Sequence, residues 1–156
     1  MKSVQDTTSG AGEGAGMSLA FTATQVIDRP ADTVWRVLTD WHRAPDWMAG
    51  VDSVTPVDDT TLRFTARKRE RTSEITAVRP GESITLTSVQ GGVRADYTYS
   101  VEPVGTTTRA TLVADVTTKP LWRPAAPALR ALIRRTDSGQ LAALKRLVEA
   151  QPAERP

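Results

Sequence analysis

The sequence predicts an α+β domain: an antiparallel meander of about seven strands, two short helices inserted after the first strand, and a long C-terminal helix. Three observations lead there. Apolar and polar residues alternate with period two through several segments between residues 51 and 118, separated by turn signals. The stretch Ile27 to Val51 abandons that period for helical spacing. From Ala128 onward the apolar residues recur at a spacing near 3.6, with no further strand punctuation.

Residues 1–17 are rich in Gly, Ser and Thr, with almost nothing to bury, and are expected to form a flexible tail. Leu19 to Asp28 alternates as a strand. Pro30 then suits a first helical turn, because its missing N–H costs nothing there and its φ is already helical. Asp28 stands where it could cap that turn, and Val34, Trp35 and Leu38 supply an apolar face with Val37 on its flank. Thr39-Asp40 offers a second cap, and Trp41 to Gly50 reads as a second short helix around Pro45, stopped by Gly50.

Arg29-Pro30, Val34-Trp35, Leu38-Thr39-Asp40 and Pro45-Asp46-Trp47 together resemble the START-like superfamily of lipid-transfer and polyketide-cyclase proteins, also called SRPBCC. The resemblance covers roughly residues 18–150. It implies a helix-grip fold, in which a curved antiparallel sheet wraps the C-terminal helix and encloses an apolar cavity. It also implies that the segment carrying Trp47 and Met48 forms the entrance. In its cyclase and aromatase branch, pocket tyrosines and arginines are thought to guide a bound polyketide. The motif itself is structural and names no chemistry.

After the helices, Val51 to Val57 reads as a short strand limited by Pro56, and Asp58-Asp59 as a turn. Thr61 to Lys68 alternates, with Leu62, Phe64 and Ala66 on one side; Arg69-Glu70-Arg71 is expected to be an exposed, charged hairpin tip. Thr72 to Val78 returns with Ile75 and Ala77 in phase, and Arg79-Pro80-Gly81-Glu82 turns the chain. Ser83 to Gln90 pairs Ile84 with Leu86, and Gly91-Gly92 provides the positive φ of a tight hairpin. Val93 to Glu102 is the clearest strand, with Val93, Ala95, Tyr97, Tyr99 and Val101 on one face. Thr107 to Thr118 follows with Ala110, Leu112, Ala114 and Val116 in phase.

Leu121 to about Ala150 is expected to be the long helix, irregular at Pro124 and Pro127. Leu129, Leu132, Ile133, Thr136, Gln140, Ala143, Leu144, Leu147 and Val148 share its face. Gly139 falls inside it and permits a bend. Residues 151–156 are expected to fray, so the predicted domain runs from 18 to 150 between two tails.

Composition narrows the function classes. The chain has no cysteine, which removes disulfides and thiolate chemistry. No apolar run approaches the ~18 residues of a membrane span, and no secretory h-region opens the sequence, so a cytoplasmic location is expected. Basic clusters at Arg67-Lys68-Arg69 and Arg134-Arg135 are interrupted by Glu70, Glu74 and Asp137, and aromatics are only 5%. That pattern reads as solvated surface rather than a nucleic-acid interface. The oligomeric state is open.

The single histidine, His42, has no partner at triad or metal-ligand spacing, so no catalytic residue, metal ligand or cofactor site is assigned. A cavity is the stronger expectation. Many inward positions hold small residues (Ala23, Ala66, Ala77, Ala95, Ala110 and Ala114), whereas close packing would require large partners opposite them. The expected ligand-binding set is Phe64, Ala66, Ile75, Leu86, Ala95, Tyr97, Tyr99 and Leu112 from the sheet, Leu129 and Ile133 from the helix, and Trp47 with Met48 at the gate. Tyr97 and Tyr99 admit two readings: core aromatics with satisfied hydroxyls, or cavity hydroxyls offered to a ligand. Two functions follow. One is a non-catalytic binding or carrier protein for a hydrophobic small molecule such as a lipid, polyketide or aromatic metabolite. The other is a polyketide cyclase, aromatase or dehydrase.

Overall fold

The computed structural model describes residues 18–152, and the tail expected over 1–17 and the last four residues lie outside that range. Seven antiparallel strands form one sheet in the order β1-β7-β6-β5-β4-β3-β2. They are β1 (Ser18–Ile27), β2 (Val51–Pro56), β3 (Thr61–Ala66), β4 (Arg69–Arg79), β5 (Ser83–Gln90), β6 (Val93–Val104) and β7 (Thr107–Thr118). The strands from β2 to β7 are joined by hairpins, as their turn signals require. The pairing of β1 with β7 is what the helical insertion makes possible, since it carries the chain from one sheet edge to the other.

The insertion consists of α1 (Ala31–Leu38) and a 3-10 helix over Trp41–Asp46. Thr33, Val34, Val37 and Leu38 are buried on α1. Neither expected cap forms a side-chain bond: Pro30 and Asp40 occupy the two N-cap positions without one. The Asp28 backbone N–H instead donates to Glu149 Oε2 at 2.7 Å, and the Thr39 hydroxyl donates back to the Trp35 carbonyl at 2.8 Å.

The C-terminal arm is long, as expected, but it is divided. A 3-10 helix over Pro120–Ala125 leads into α2 (Ala126–Asp137), and after Ser138-Gly139 comes α3 (Gln140–Ala150). The break changes which residues face inward. Leu141, Leu144 and Val148 are buried on α3, although Leu141 was out of phase with an unbroken stripe. Leu132, expected on the apolar face of α2, is 58% exposed.

Arg29 fastens this arm to the sheet. Its guanidinium donates to the Glu149 carbonyl at 2.8 Å and the Gln151 carbonyl at 2.7 Å, so Gln151, expected to fray, is held. The buried Thr108 hydroxyl donates to the Arg29 carbonyl at 2.7 Å, fixing the other side of the clamp on β7. Lys145 adds a bond to the Val26 carbonyl at 2.7 Å.

Cross-strand register sets the inner face. Ala23, Leu112, Tyr99 and Ile84 form one row across β1, β7, β6 and β5; Phe21, Ala114, Tyr97 and Leu86 form the next. A bulge between Ile75 and Ala77 switches the phase of β4. Ala77 therefore pairs with outward-facing Thr85 and is exposed, which corrects its assignment to the interior. Asp96 and Asp115 lie on the outer phase as read, but Asp96 is nearly buried there, accepting a bond from the Thr87 hydroxyl.

A hydrophobic cavity as candidate functional site

Between the inner face of the sheet and α2 lies a cavity of about 640 Å³. This is within the ~300–1,000 Å³ of small-molecule sites. It exists because inward positions are small on one flank: Ala66 on β3, Ala95 on β6 and Ser88 on β5 leave room that Leu129, Leu132, Ile133, Thr136 and Asp137 of α2 border without filling. Farther along the same face, Leu112, Val101, Leu141 and Leu144 are buried and close the core under α3.

Met48, Phe64, Ala66, Leu86, Ala95, Tyr97, Tyr99, Leu129 and Ile133 all stand in the cavity wall. Trp47, Ile75 and Leu112 do not. Trp47 is 2% exposed and packs edge-on against the ring of Tyr99, with centroids 5.7 Å apart, so it anchors the 3-10 segment instead of gating an opening. Leu112 is wholly buried in the row beneath α3, and Ile75 packs against the core at the bulge. His42, the single histidine, is exposed.

The wall also holds polar groups that the sequence reading left out. The Tyr97 hydroxyl donates to Asp137 Oδ2 at 2.6 Å, and the Tyr99 hydroxyl donates to Gln140 Oε1 at 2.6 Å. Gln140 Nε2 in turn donates to Asp137 Oδ1 at 3.3 Å, so the four side chains form one chain of bonds across the buried end of the cavity. Both readings of the tyrosines thus meet: their hydroxyls are satisfied by protein partners, and both residues line the space. Burial raises the Asp137 carboxyl above the ordinary carboxylate range, against the opposing hydrogen bonds from Tyr97 and Gln140. Burial likewise pushes both phenols upward, helped by the negative charge of Asp137, so both stay protonated at neutral pH.

Asp137 was legible in principle, since it follows Ile133 by four residues and precedes Gln140 by three on the same helical stripe. A second polar spot is the Ser73–Ser88 hydroxyl pair at 2.7 Å. On the open side the wall carries Arg67, Arg69 and Arg71. Arg69 and Arg71 were expected at an exposed hairpin tip, but the turn falls at Arg67-Lys68, two residues earlier. The shift returns Arg69 and Arg71 to the inner phase of β4, opposite Ala66 and Phe64. Among the described residues, no group of three or more His, Cys, Asp or Glu could hold a metal ion.

A fold of this kind, with a hollow between sheet and helix, defines the START-like class. The sequence profile described as polyketide cyclase / dehydrase and lipid transport matches residues 18–149, and the chain belongs to that family. Solved structures agree on the fold. A START superfamily protein from Mycobacterium smegmatis superposes with a TM-score of 0.66 at 16% identity, covering 86% of this chain and 97% of that one. The Zhui aromatase/cyclase from Streptomyces sp. R1128 gives 0.70 at 18%, covering 85% and 94%. Norcoclaurine synthase from Thalictrum flavum, in complex with dopamine and hydroxybenzaldehyde, gives 0.69 at 15%, covering 99% and 98%. No curated protein is significantly similar in sequence. Among the described residues no helix is long and apolar enough to cross a membrane.

Proposed function

We propose that this protein binds a hydrophobic small molecule, a lipid, polyketide or aromatic metabolite, in the cavity between its sheet and α2, and acts as its carrier. The observation that supports this reading is the space itself: about 640 Å³, with an apolar part of its wall formed by Met48, Phe64, Leu86, Leu129 and Ile133. Removing such a guest from water is driven by burial of its apolar surface, at roughly 25 cal/mol per Å². Native mass spectrometry of the purified protein, with titration by a hydrophobic dye, tests it. A recovered apolar compound or saturable dye binding is expected; protein that is always empty and binds no dye overturns the reading.

A second reading is a cyclase-, aromatase- or dehydrase-type enzyme, and one observation favours it. Asp137 is a buried carboxyl held toward its protonated form at the wall of a substrate-sized space, in contact with the Tyr97 hydroxyl. A carboxyl raised in this way and bonded to a phenol is a candidate for proton transfer to a guest. Asp137→Asn and Tyr97→Phe separate the readings: a carrier keeps its affinity for the guest, whereas an enzyme loses turnover by about 10²–10⁴ while still binding.

A further inference from the structure

We propose that the open side of the cavity is a site for the oxyanionic head, a carboxylate or phosphate, of an amphipathic guest, held by Arg67, Arg69 and Arg71 while the apolar tail fills the interior. This rests on the hydrophobic-guest reading above and narrows the class of guest.

The phase of β4 is the first argument. Arg69, Arg71 and Ser73 point to the same side as the residues they pair with on β3, Ala66, Phe64 and Leu62. Glu70, Thr72 and Glu74 take the outer phase. A half-buried antiparallel strand ordinarily puts its apolar residues inward. Inward charges can protect a sheet edge from aggregation, and residues 69–73 pair only with β3, since the ladder with β5 begins at Glu74. These two guanidinium groups also line the cavity, where no acid stands on the neighbouring positions of β3, and that placement suits an anion.

The turn is the second. Arg67 and Lys68 both have positive φ, 53° and 68°, in a two-residue hairpin where Asn-Gly would be unstrained. The chain tolerates that strain with a cation whose side chain lines the cavity, and strained turns of this kind concentrate at binding sites.

Charge balance is the third. Among the described residues, no ion pair or hydrogen bond engages the side chains of Arg67, Arg69 or Arg71. Asp137 is the single acid in the wall, and it belongs to the buried end with Tyr99 and Gln140. Arg67, Arg69 and Arg71 are the cations in the wall, so an anionic head is attracted to their side, which orients the guest tail-first. Guanidinium forks suit carboxylate and phosphate oxygens alike, bonding them in pairs.

Calorimetric titration of the full chain with dodecanoate, dodecyl phosphate and 1-dodecanol, all as monomers, tests the proposal. At least one anion should bind about tenfold more tightly than the alcohol, the ratio that one charge-assisted hydrogen bond supplies. The tighter of the two anions identifies the head. In R67Q/R69Q/R71Q the ratio should fall to about one, with the melting temperature unchanged, because all three arginines are exposed. Acetate and inorganic phosphate should give no saturable heat, since neither has a tail to bury. Equal binding of alcohol and anions, or a preference that survives in R67Q/R69Q/R71Q, overturns the head site and leaves the hydrophobic cavity standing. If none of the three long-chain compounds binds, both readings fall.

Discussion

The Tyr97 hydroxyl donates to Asp137 Oδ2 at 2.6 Å and so ties the middle of β6 to the last turn of α2 across the cavity wall. Neither partner is fully enclosed, and Asp137 also receives the weaker bond from Gln140 at 3.3 Å. Tyr97→Phe removes the stronger of its two donors from a carboxyl that water reaches only in part. The variant should lose about 1 kcal/mol in urea unfolding at pH 7.

Asp137 should also make stability depend on pH. Folding raises its carboxyl above the ordinary value of 3.8, chiefly by burial, so the folded chain holds the proton more tightly than the unfolded one. The stability this contributes is fully present below 3.8 and is lost as pH rises through the higher folded value. Asp137→Asn cannot ionise. Thermal melts should show the variant gaining on the parent as pH climbs from about 4 to neutrality, and a constant difference would contradict the assignment.

Arg29→Ala leaves the carbonyls of Glu149 and Gln151 without the cation that closes the end of α3. Loss of two charge-assisted bonds should cost about 2–3 kcal/mol by denaturant unfolding. Arg29→Lys should recover only part, because a single ammonium cannot reproduce the fork.

Trp47→Ala should cost about 3–5 kcal/mol, the usual penalty for emptying a core site of that size. Trp47→Phe should cost much less. The buried indole N–H has no hydrogen-bond partner among the described residues, so the smaller ring also removes an unsatisfied donor.

Replacing the hairpin pair in the double variant Arg67→Asn, Lys68→Gly should stabilise the fold by about 1–2 kcal/mol, since both positions have the positive φ that Asn and Gly accept. The same variant should weaken the preference for anionic guests. A gain in melting temperature together with that loss would show conformational strain retained for binding.

Much of the architecture is readable from the chain because each strand keeps its period and each hairpin except one has a glycine or an Asx turn. Gly81, Gly91 and Gly105 all have positive φ where the sequence announces a turn, and Asp58 Oδ1 accepts the Thr60 N–H at 2.9 Å in the β2–β3 loop. The exception is Arg67-Lys68, whose side chains give no turn signal, and that is why the arginines of β4 were assigned to the tip. A loop of two residues would have put Arg69, Arg71 and Ser73 in phase with Ala66, Phe64 and Leu62, but nothing local favours it over three. Ala77 was misplaced and Leu141 left out of the apolar stripe for a related reason: a bulge and a helix break each reset the phase, and neither has a reliable signature in composition. Trp47 was read as a gate because the segment around it suggested one; its partner, Tyr99, is fifty-two positions away and invisible to local pattern.

The interruption at Ser138-Gly139 leaves the two halves of the C-terminal arm unequally fastened. The distal half sinks Leu141, Leu144 and Val148 into the core and is bolted down by Arg29. Its neighbour has only Ala126 buried among its described residues. That half is tied to the sheet by the Tyr97–Asp137 and Arg134–Ala20 bonds instead of a buried apolar stripe, so the contacts around the cavity and the contacts that seat the end of the arm are separate sets.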